Sequence, residues 1–290
     1  MDASTVLVAF GSMTGLGLIL SSVLVVANRK LYVYEDPRIE EVNEMLPQSN
    51  CGACGVPGCR AFSEELIAGN FTPGQCTVVS DAVSEEIADL LGVDVGGDEK
   101  RVARLACAGG SNVARQRVHY LGLSTCQAAT LVAGGGKGCT WGCLGLGDCE
   151  EACDFDAITM NDHGIPVVDP DSCVACDDCV DICPKDLFSL EPVARKLWVP
   201  CRNLQFGDSA ERECEVACNS CTRCVADAAP GLIEMKDNLA VIDYELNHLA
   251  TREAIERCPT GAIIWIEEDE VAQKGVDAKK IIRKTSLPVG

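Results

Sequence analysis

No Rossmann-type glycine fingerprint, no P-loop and no recognisable flavin site occurs anywhere in the sequence, so the chain is expected to bind neither nucleotide nor flavin. Basic residues are scarce: 24 Lys and Arg stand against 44 Asp and Glu, giving a net charge of −20. Nucleic acid and anionic membrane surfaces both demand a dominant basic face, which excludes them as main partners. Histidine is limited to His119, His163 and His248, each alone, and such isolated residues read as exposed or internally satisfied side chains rather than metal ligands. Charge of either sign is missing between Ala3 and Asn28. No carboxylate or histidine in that stretch is available to carry an ion.

Cysteine is abundant instead. Twenty in 290 residues mean either a disulfide scaffold in an oxidising compartment or a set of metal sites in a reducing one. Most fall in groups separated by two or three residues, which suits several thiolates converging on one inorganic cluster better than it suits disulfides. That spacing predicts a cytoplasmic cysteine domain.

The uncharged run VLVAFGSMTGLGLILSSVLVVA, residues 6 to 27, is long enough as a helix to cross the hydrocarbon core. Arg29 and Lys30 follow it and place that side in the cytoplasm, in agreement with the reducing compartment. Asp2 near the start and the lack of a small-residue cleavage pattern favour an anchor in the lipid bilayer over a cleaved signal peptide. Gly11 and Gly15 have the spacing of a helix-packing face, although glycine is common in membrane helices generally.

After a charged linker from Tyr32 to Gln48 come a first cysteine group, a helical stretch near Ala82 to Leu91, and a loop from Gly92 to Asp98 that marks a boundary. Residues from about 100 to 200 and from about 201 to 266 then repeat one plan. Each has a short apolar run ending in cysteine (Cys107, Cys201), an isolated C-x-x-A (Cys126 to Ala129, Cys214 to Ala217) and a cluster motif. The segments 157 to 168 and 232 to 242 read as β-hairpins. The expected class is α+β: a transmembrane anchor (1–28), a linker and single-cluster domain (29–98), and an extension plus two-cluster ferredoxin-like unit (99–200). A second ferredoxin-like unit with one cluster lost (201–266) and a charged tail, helical or unfolded (267–290), complete it.

A 4Fe–4S cluster is held by four thiolates, three from a tight loop and a fourth from elsewhere. The most specific match is Cys173-x2-Cys176-x2-Cys179-x3-Cys183-Pro184, preceded by the looser Cys139-x3-Cys143-x5-Cys149-x3-Cys153. In two-cluster ferredoxins the cysteine before proline ligates the other cluster. Crossed ligation therefore groups Cys139, Cys143, Cys149 and Cys183 on one cluster, and Cys153, Cys173, Cys176 and Cys179 on its neighbour. In the second unit Cys218, Cys221 and Cys224 are completed by Cys258, while Ala228 and the stretch 245 to 256 stand where the other cluster's ligands belong. Those losses fall together, as deletion of one whole cluster requires. Cys51, Cys54, Cys59 and Cys76, on the glycine-rich NCGACGVPGC loop and just beyond, form a self-contained fourth set. Structural zinc is the competing reading, stronger for this set than for the interleaved ones. Cys107, Cys126, Cys201 and Cys214 remain; buried structural thiols are the default, and their matched positions in the two repeats leave a fifth cluster open. The basic stretch from Lys100 to Tyr120 suits either an acidic protein partner or internal contacts.

With these residues identified, the chain resembles the B subunit of the Rnf complexes, membrane-bound ferredoxin:NAD oxidoreductases that pump sodium ions or protons. The resemblance runs nearly end to end, through the anchor, LPQSNCGACGVPGC, CTWGCLGLGDCEEACDFDAI and the ferredoxin motifs, and is to the longer form of that protein. The chain departs from that form at Ala228 and 245 to 256. The resemblance implies electron exchange with soluble ferredoxin, relay towards membrane-embedded subunits and an NADH- and flavin-binding one, and no catalytic acid, base or nucleophile in this chain. Two other readings stay open: a related complex that keeps a redox-sensing regulator reduced, and another membrane oxidoreductase.

Overall fold

The computed structural model describes residues 3–31, 35–97, 99–267 and 272–289, with side chains from residue 10 onward. The start of the linker (32–34), Asp98 and 268–271 of the tail lie outside the described residues.

The apolar run forms helix α1 (Ala3–Leu31), ending on Arg29 and Lys30, whose charges complement the helix C-terminus. Its stretch Phe10–Leu31, 22 residues of mean hydropathy 1.9, is long and apolar enough to cross a membrane, and none of it is buried in the protein. At about 1.5 Å per residue it spans roughly 33 Å. The hydroxyls of Thr14 and Ser22 donate to the carbonyls of Phe10 (2.8 Å) and Leu18 (2.7 Å), so these polar groups are satisfied within the helix. Open space surrounds Gly11 and Gly15.

Three helices, α2 (Pro37–Met45), α3 (Cys59–Ala68) and α4 (Asp81–Leu91), build the first domain around Val42, Leu46, Phe62, Leu66 and Ile87. Asp36 caps α2 with Pro37 in its first turn, and left-handed Gly69 and Gly92 end α3 and α4. The loop after α4 is part of this domain: Gly74 N–H donates to Val95 O at 2.8 Å.

Strand β1 (Arg101–Leu105) pairs antiparallel with β4 (Phe188–Pro192), so the extension is closed on both sides of the first ferredoxin-like unit. Between them lie α5 (Cys126–Leu131), α6 (Asp148–Glu151), the hairpin β2 (Ile158–Met160) and β3 (Pro166–Val168), and α7 (Asp178–Asp181). The second unit follows with β5 (Leu197–Trp198), α8 (Asp208–Glu213), α9 (Arg223–Asp227), the hairpin β6 (Ile233–Lys236) and β7 (Leu239–Ile242), and α10 (Glu253–Glu256). Both hairpins lie where the sequence pattern puts them. Asp237 and Asn238, at φ 47° and 67°, make the left-handed two-residue turn that the second requires.

The tail departs from expectation. Rather than a helix or a free segment, it enters the sheet: β8 (Ile264–Ile266) pairs with β5 on one side and with β9 (Ala272–Lys274) on the other. The chain then returns to the extension, where Leu287 N–H donates to Ser111 O at 2.9 Å, while Arg283 pairs with Glu215 of the second unit at 3.2 Å. Much of the basic stretch is also turned to internal use. Buried Arg104 bonds the carbonyls of Val193 and Arg195, Arg101 bonds Leu190 O at 2.9 Å, and Arg117 pairs with Glu213 at 2.8 Å.

Gly275 marks how closely the tail is held, because a Cβ there would meet Ile255 O at 2.0 Å. Gly275→Ala is expected to unseat β9, with a loss on the order of 1–3 kcal/mol for overpacking. Faster hydrogen exchange across 272–287 and a lowered denaturation midpoint are the measurements; unchanged protection would show that the tail is not docked.

Candidate iron–sulfur sites

In the first domain, Cys51, Cys54, Cys59 and Cys76 line one cavity with Leu46 and Phe62. Cys59 opens α3, where its N–H donates to Asn50 Oδ1 at 3.0 Å, and that side chain ties the glycine-rich loop back on itself. Gly58 at φ 133° permits the approach, since a Cβ would lie 2.8 Å from Asn50 Oδ1.

Two further cavities are made by loops of one design. Cys173, Cys176 and Cys179 with Cys153 line the first, and Cys218, Cys221 and Cys224 with Cys258 the second. In each C-x-x-C-x-x-C loop the residue before the second cysteine and the residue after it are left-handed: Ala175 (φ 58°) and Asp177 (φ 79°), Ser220 (φ 61°) and Thr222 (φ 62°). Such non-glycine conformations cost on the order of 1–3 kcal/mol each and persist where surrounding structure fixes them, commonly at functional sites. Here they curl the chain so that three thiols face one point. Short helices then set the third cysteine of each loop, Cys179 in α7 and Cys224 in α9, into the core. Ala228, Leu246 and Ala250 pack against the core that contains Cys218, Cys224 and Cys258 of the second cavity.

Cys139 does not join Cys143, Cys149 and Cys183 as its spacing suggests. It lines a separate cavity with Cys107, Cys201 and Cys214. Cys126 is drawn the other way by Asp148, whose carboxylate accepts the N–H groups of Cys126 (2.7 Å) and Gln127 (3.2 Å). Asp148 is the first residue of α6, and Cys149 the second. Consequently Cys126 and Cys183 both stand near Cys149, and Cys126 near Cys143, close enough to oppose ionisation of those thiols. The sequence signal that this arrangement offers is the pairing of Cys107 with Cys201 in the two repeats, which marks position but not partner.

Burial pushes the thiols of Cys143, Cys149, Cys179, Cys201, Cys214 and Cys224 up to about 12, and neighbouring thiols add to the shift. Convergent buried thiols therefore ionise readily only against a positive partner, and metal binding there releases protons. No disulfide joins any of the twenty. A zinc ion would need four sulfurs at about 2.3 Å. Among the described residues no three His, Cys, Asp or Glu side chains converge tightly enough to hold a single ion. The thiols instead ring cavities, and the donor set fits a cuboidal iron–sulfur cluster.

Cysteine sets of this kind on hairpin and short-helix units define an iron–sulfur protein of ferredoxin type. Residues 46–78 match the family model described as "Putative Fe-S cluster", and residues 138–187 the one described as "4Fe-4S dicluster domain". Over 260 residues the chain is 36% identical to the B subunit of the Na(+)-translocating ferredoxin:NAD(+) oxidoreductase complex of Acetobacterium woodii, covering 90% of this chain and 78% of that one. It is 35% identical over 262 residues to the B subunit of the proton-translocating ferredoxin:NAD(+) oxidoreductase complex of Clostridium ljungdahlii, covering 90% and 92%. A further 33% identity over 261 residues links it to the B subunit of the ion-translocating oxidoreductase complex of Methanosarcina acetivorans, covering 90% and 98%. The chain belongs to this family, the B subunits of the Rnf-type ion-translocating ferredoxin:NAD oxidoreductases.

The left-handed positions give a test of the loop design. Asp177→Gly is expected to be neutral or stabilising by up to about 1 kcal/mol, whereas Ala175→Val, β-branched at positive φ, is expected to loosen the loop. Chemical denaturation of the anaerobic protein, with iron retention, measures both. A tolerated valine beside a costly glycine would refute the design.

Proposed function

We propose that this chain is the electron-relay component of an ion-translocating ferredoxin:NAD oxidoreductase, exchanging electrons with soluble ferredoxin and passing them towards membrane-embedded subunits. Bound 4Fe–4S clusters supply one-electron transfer, with potentials set by hydrogen bonds to sulfur and by burial. Four sets of residues would hold them: Cys51, Cys54, Cys59 and Cys76; Cys153, Cys173, Cys176 and Cys179; Cys143, Cys149 and Cys183 with Cys126; and Cys218, Cys221, Cys224 and Cys258. The chain's part is to hold, insulate and space these groups. No acid, base or nucleophile is needed.

The observation that carries this reading is that three of the four sets adjoin one another. Cys54 and Cys76 of the first share a cleft with Cys173 of the second, and Thr77 donates to Val174 O at 2.7 Å across that boundary. Cys149, of the third set, stands close enough to Cys179 to raise its thiol. Ala103 N–H donates to Cys173 Sγ at 3.5 Å, a bond of the kind that tunes a cluster ligand. Helix α1 would anchor the assembly as a single span, and Arg29 and Lys30 after it support a cytoplasmic side for the cysteine domains, where thiols stay reduced.

A chain beginning at Glu35 loses no core residue with α1 and is expected to be soluble, to keep its clusters and to be reduced by ferredoxin. Its rate is expected to fall as salt rises if docking is electrostatic. A fully clustered protein that exchanges electrons with no ferredoxin of its own cell would refute the relay, and protease protection in inside-out vesicles would refute the sidedness. Separately, Cys258→Ala is expected to remove about four iron atoms, those of one cluster. Full retention of the Cys218, Cys221 and Cys224 cluster spectrum would overturn that ligand assignment.

A further inference from the structure

Three thiols outside the local motifs and one drawn from a motif converge on one cavity: Cys107 from the extension, Cys139 from the first ferredoxin-like unit, and Cys201 and Cys214 from the second. We infer that these four are the ligands of a fifth 4Fe–4S cluster, seated at the seam between the two units. Cys126 then serves in place of Cys139 beside Cys143, Cys149 and Cys183. The inference rests on the iron–sulfur reading above and deepens it.

Asn203 points to the ligand independently of the cysteines. It lines the same cavity and is only 1% exposed. Its Oδ1 accepts the N–H of Gln205 at 2.8 Å, yet its Nδ2 has no partner in the protein. A buried amide donor left without an acceptor is costly, so an acceptor belongs in the cavity, and inorganic sulfide supplies one. The walls carry the matching charge. Lys137 and Arg202 line the cavity, and the Lys137 ammonium bonds Gly109 O at 2.6 Å and Cys143 O. Four thiolates around an iron–sulfur core make an anion, which these cations offset.

The sulfurs are also dressed as cluster ligands are. Cys107 Sγ accepts the N–H groups of Gly109 (3.4 Å) and Cys143 (3.3 Å), and Cys201 Sγ those of Asn203 (3.4 Å) and Cys218 (3.3 Å). At Gly109 a Cβ would stand 3.1 Å from Cys214 Sγ, so the wall is shaped to the thiols. Cys143 belongs to the neighbouring set on one side and Cys218 to the set on the other. Backbone N–H···S contacts thus join all three, and the fifth site closes the gap between the first unit's pair and the isolated set of the second.

Iron, acid-labile sulfide and zinc in the anaerobically purified full-length protein test this. About twenty iron atoms and as many sulfides per chain are expected, from four irons per cluster. Cys201→Ala and Cys214→Ala are each expected to fall to about sixteen and to lose the same paramagnetic signal, whereas Cys126→Ala loses about four irons and a different signal. Asn203→Leu is expected to keep the full iron content and to lower the midpoint potential of one cluster only, and the iron count of the unaltered protein decides the matter even if an alanine variant fails to fold. About sixteen irons in the unaltered protein, unchanged in Cys201→Ala and Cys214→Ala, would overturn the proposal. One zinc per chain lost with Cys201→Ala would do the same, and unaltered potentials in Asn203→Leu would remove that residue's part. Ferredoxin exchange is not read here, so failure of the relay leaves this outcome unaffected.

Discussion

The bond between buried cysteine sulfur and iron carries the fold beyond the first domain because the elements around it are too short to stand alone. Strands there run from two to five residues, and the helices from α5 onward from four to six. Isolated helices below about 12–15 residues are marginal in water, and two-stranded hairpins are marginal as well. Cysteines take up core positions that apolar side chains would otherwise fill: Cys149 and Cys179 in one core, and Cys201, Cys214, Cys218, Cys224 and Cys258 in the other. A thiol there repels its neighbours once ionised, and only a shared cation reverses the sign. Metal binding and folding free energy are then the same quantity, as in other small metal-dependent domains.

What was legible in the sequence follows from how local each grouping is. The loops around Cys51, Cys173 and Cys218 close within a few residues, and their glycines or repeated spacing show it. The hairpins announce themselves through Asp237–Asn238 and through Asn161, whose side chain accepts the N–H groups of His163 and Ile165 at 2.9 and 3.0 Å. Cys139 was misleading because proximity along the chain suggested Cys143 and Cys149, while the deciding contact is a carboxylate, Asp148, reaching back 22 residues to the Cys126 N–H. Strand β9 was hidden for a different reason. Its three residues, Ala-Gln-Lys, have no strand pattern and are recruited by the open edge of β8.

Where crossed ligation expects a second ligand set in the second unit, the chain meets a packing problem as well as a chemical one. In the second unit the chain around Ala228 and 244–256 solves it with Leu246, Ala250 and the buried pair Ala254 and Ile255. Asp227 pairs there with Arg257, immediately before Cys258. Removal of an entire set would permit such packing, whereas removal of one thiol from four would leave three buried acids without their cation.

The seam between the two ferredoxin-like units is held by the same logic. Backbone pairing crosses it at Ala114 with Cys214, at Arg115 N–H to Glu213 O (2.9 Å), at Glu215 N–H to Val113 O (2.9 Å) and at Ala108 N–H to Pro200 O (3.0 Å). These hydrogen bonds, each contributing roughly 1 kcal/mol net, are joined by Val113 and Ala114 packed into the second unit's core and by the Arg117–Glu213 pair. Two thiols from each side meet immediately behind the seam. A cluster ligated from both units, as proposed, would couple docking to loading and add metal–sulfur bonds to that packing. Electron transfer depends steeply on the separation between sites, so a cluster ligated across the seam would tie the spacing of the flanking sites to the completeness of the series.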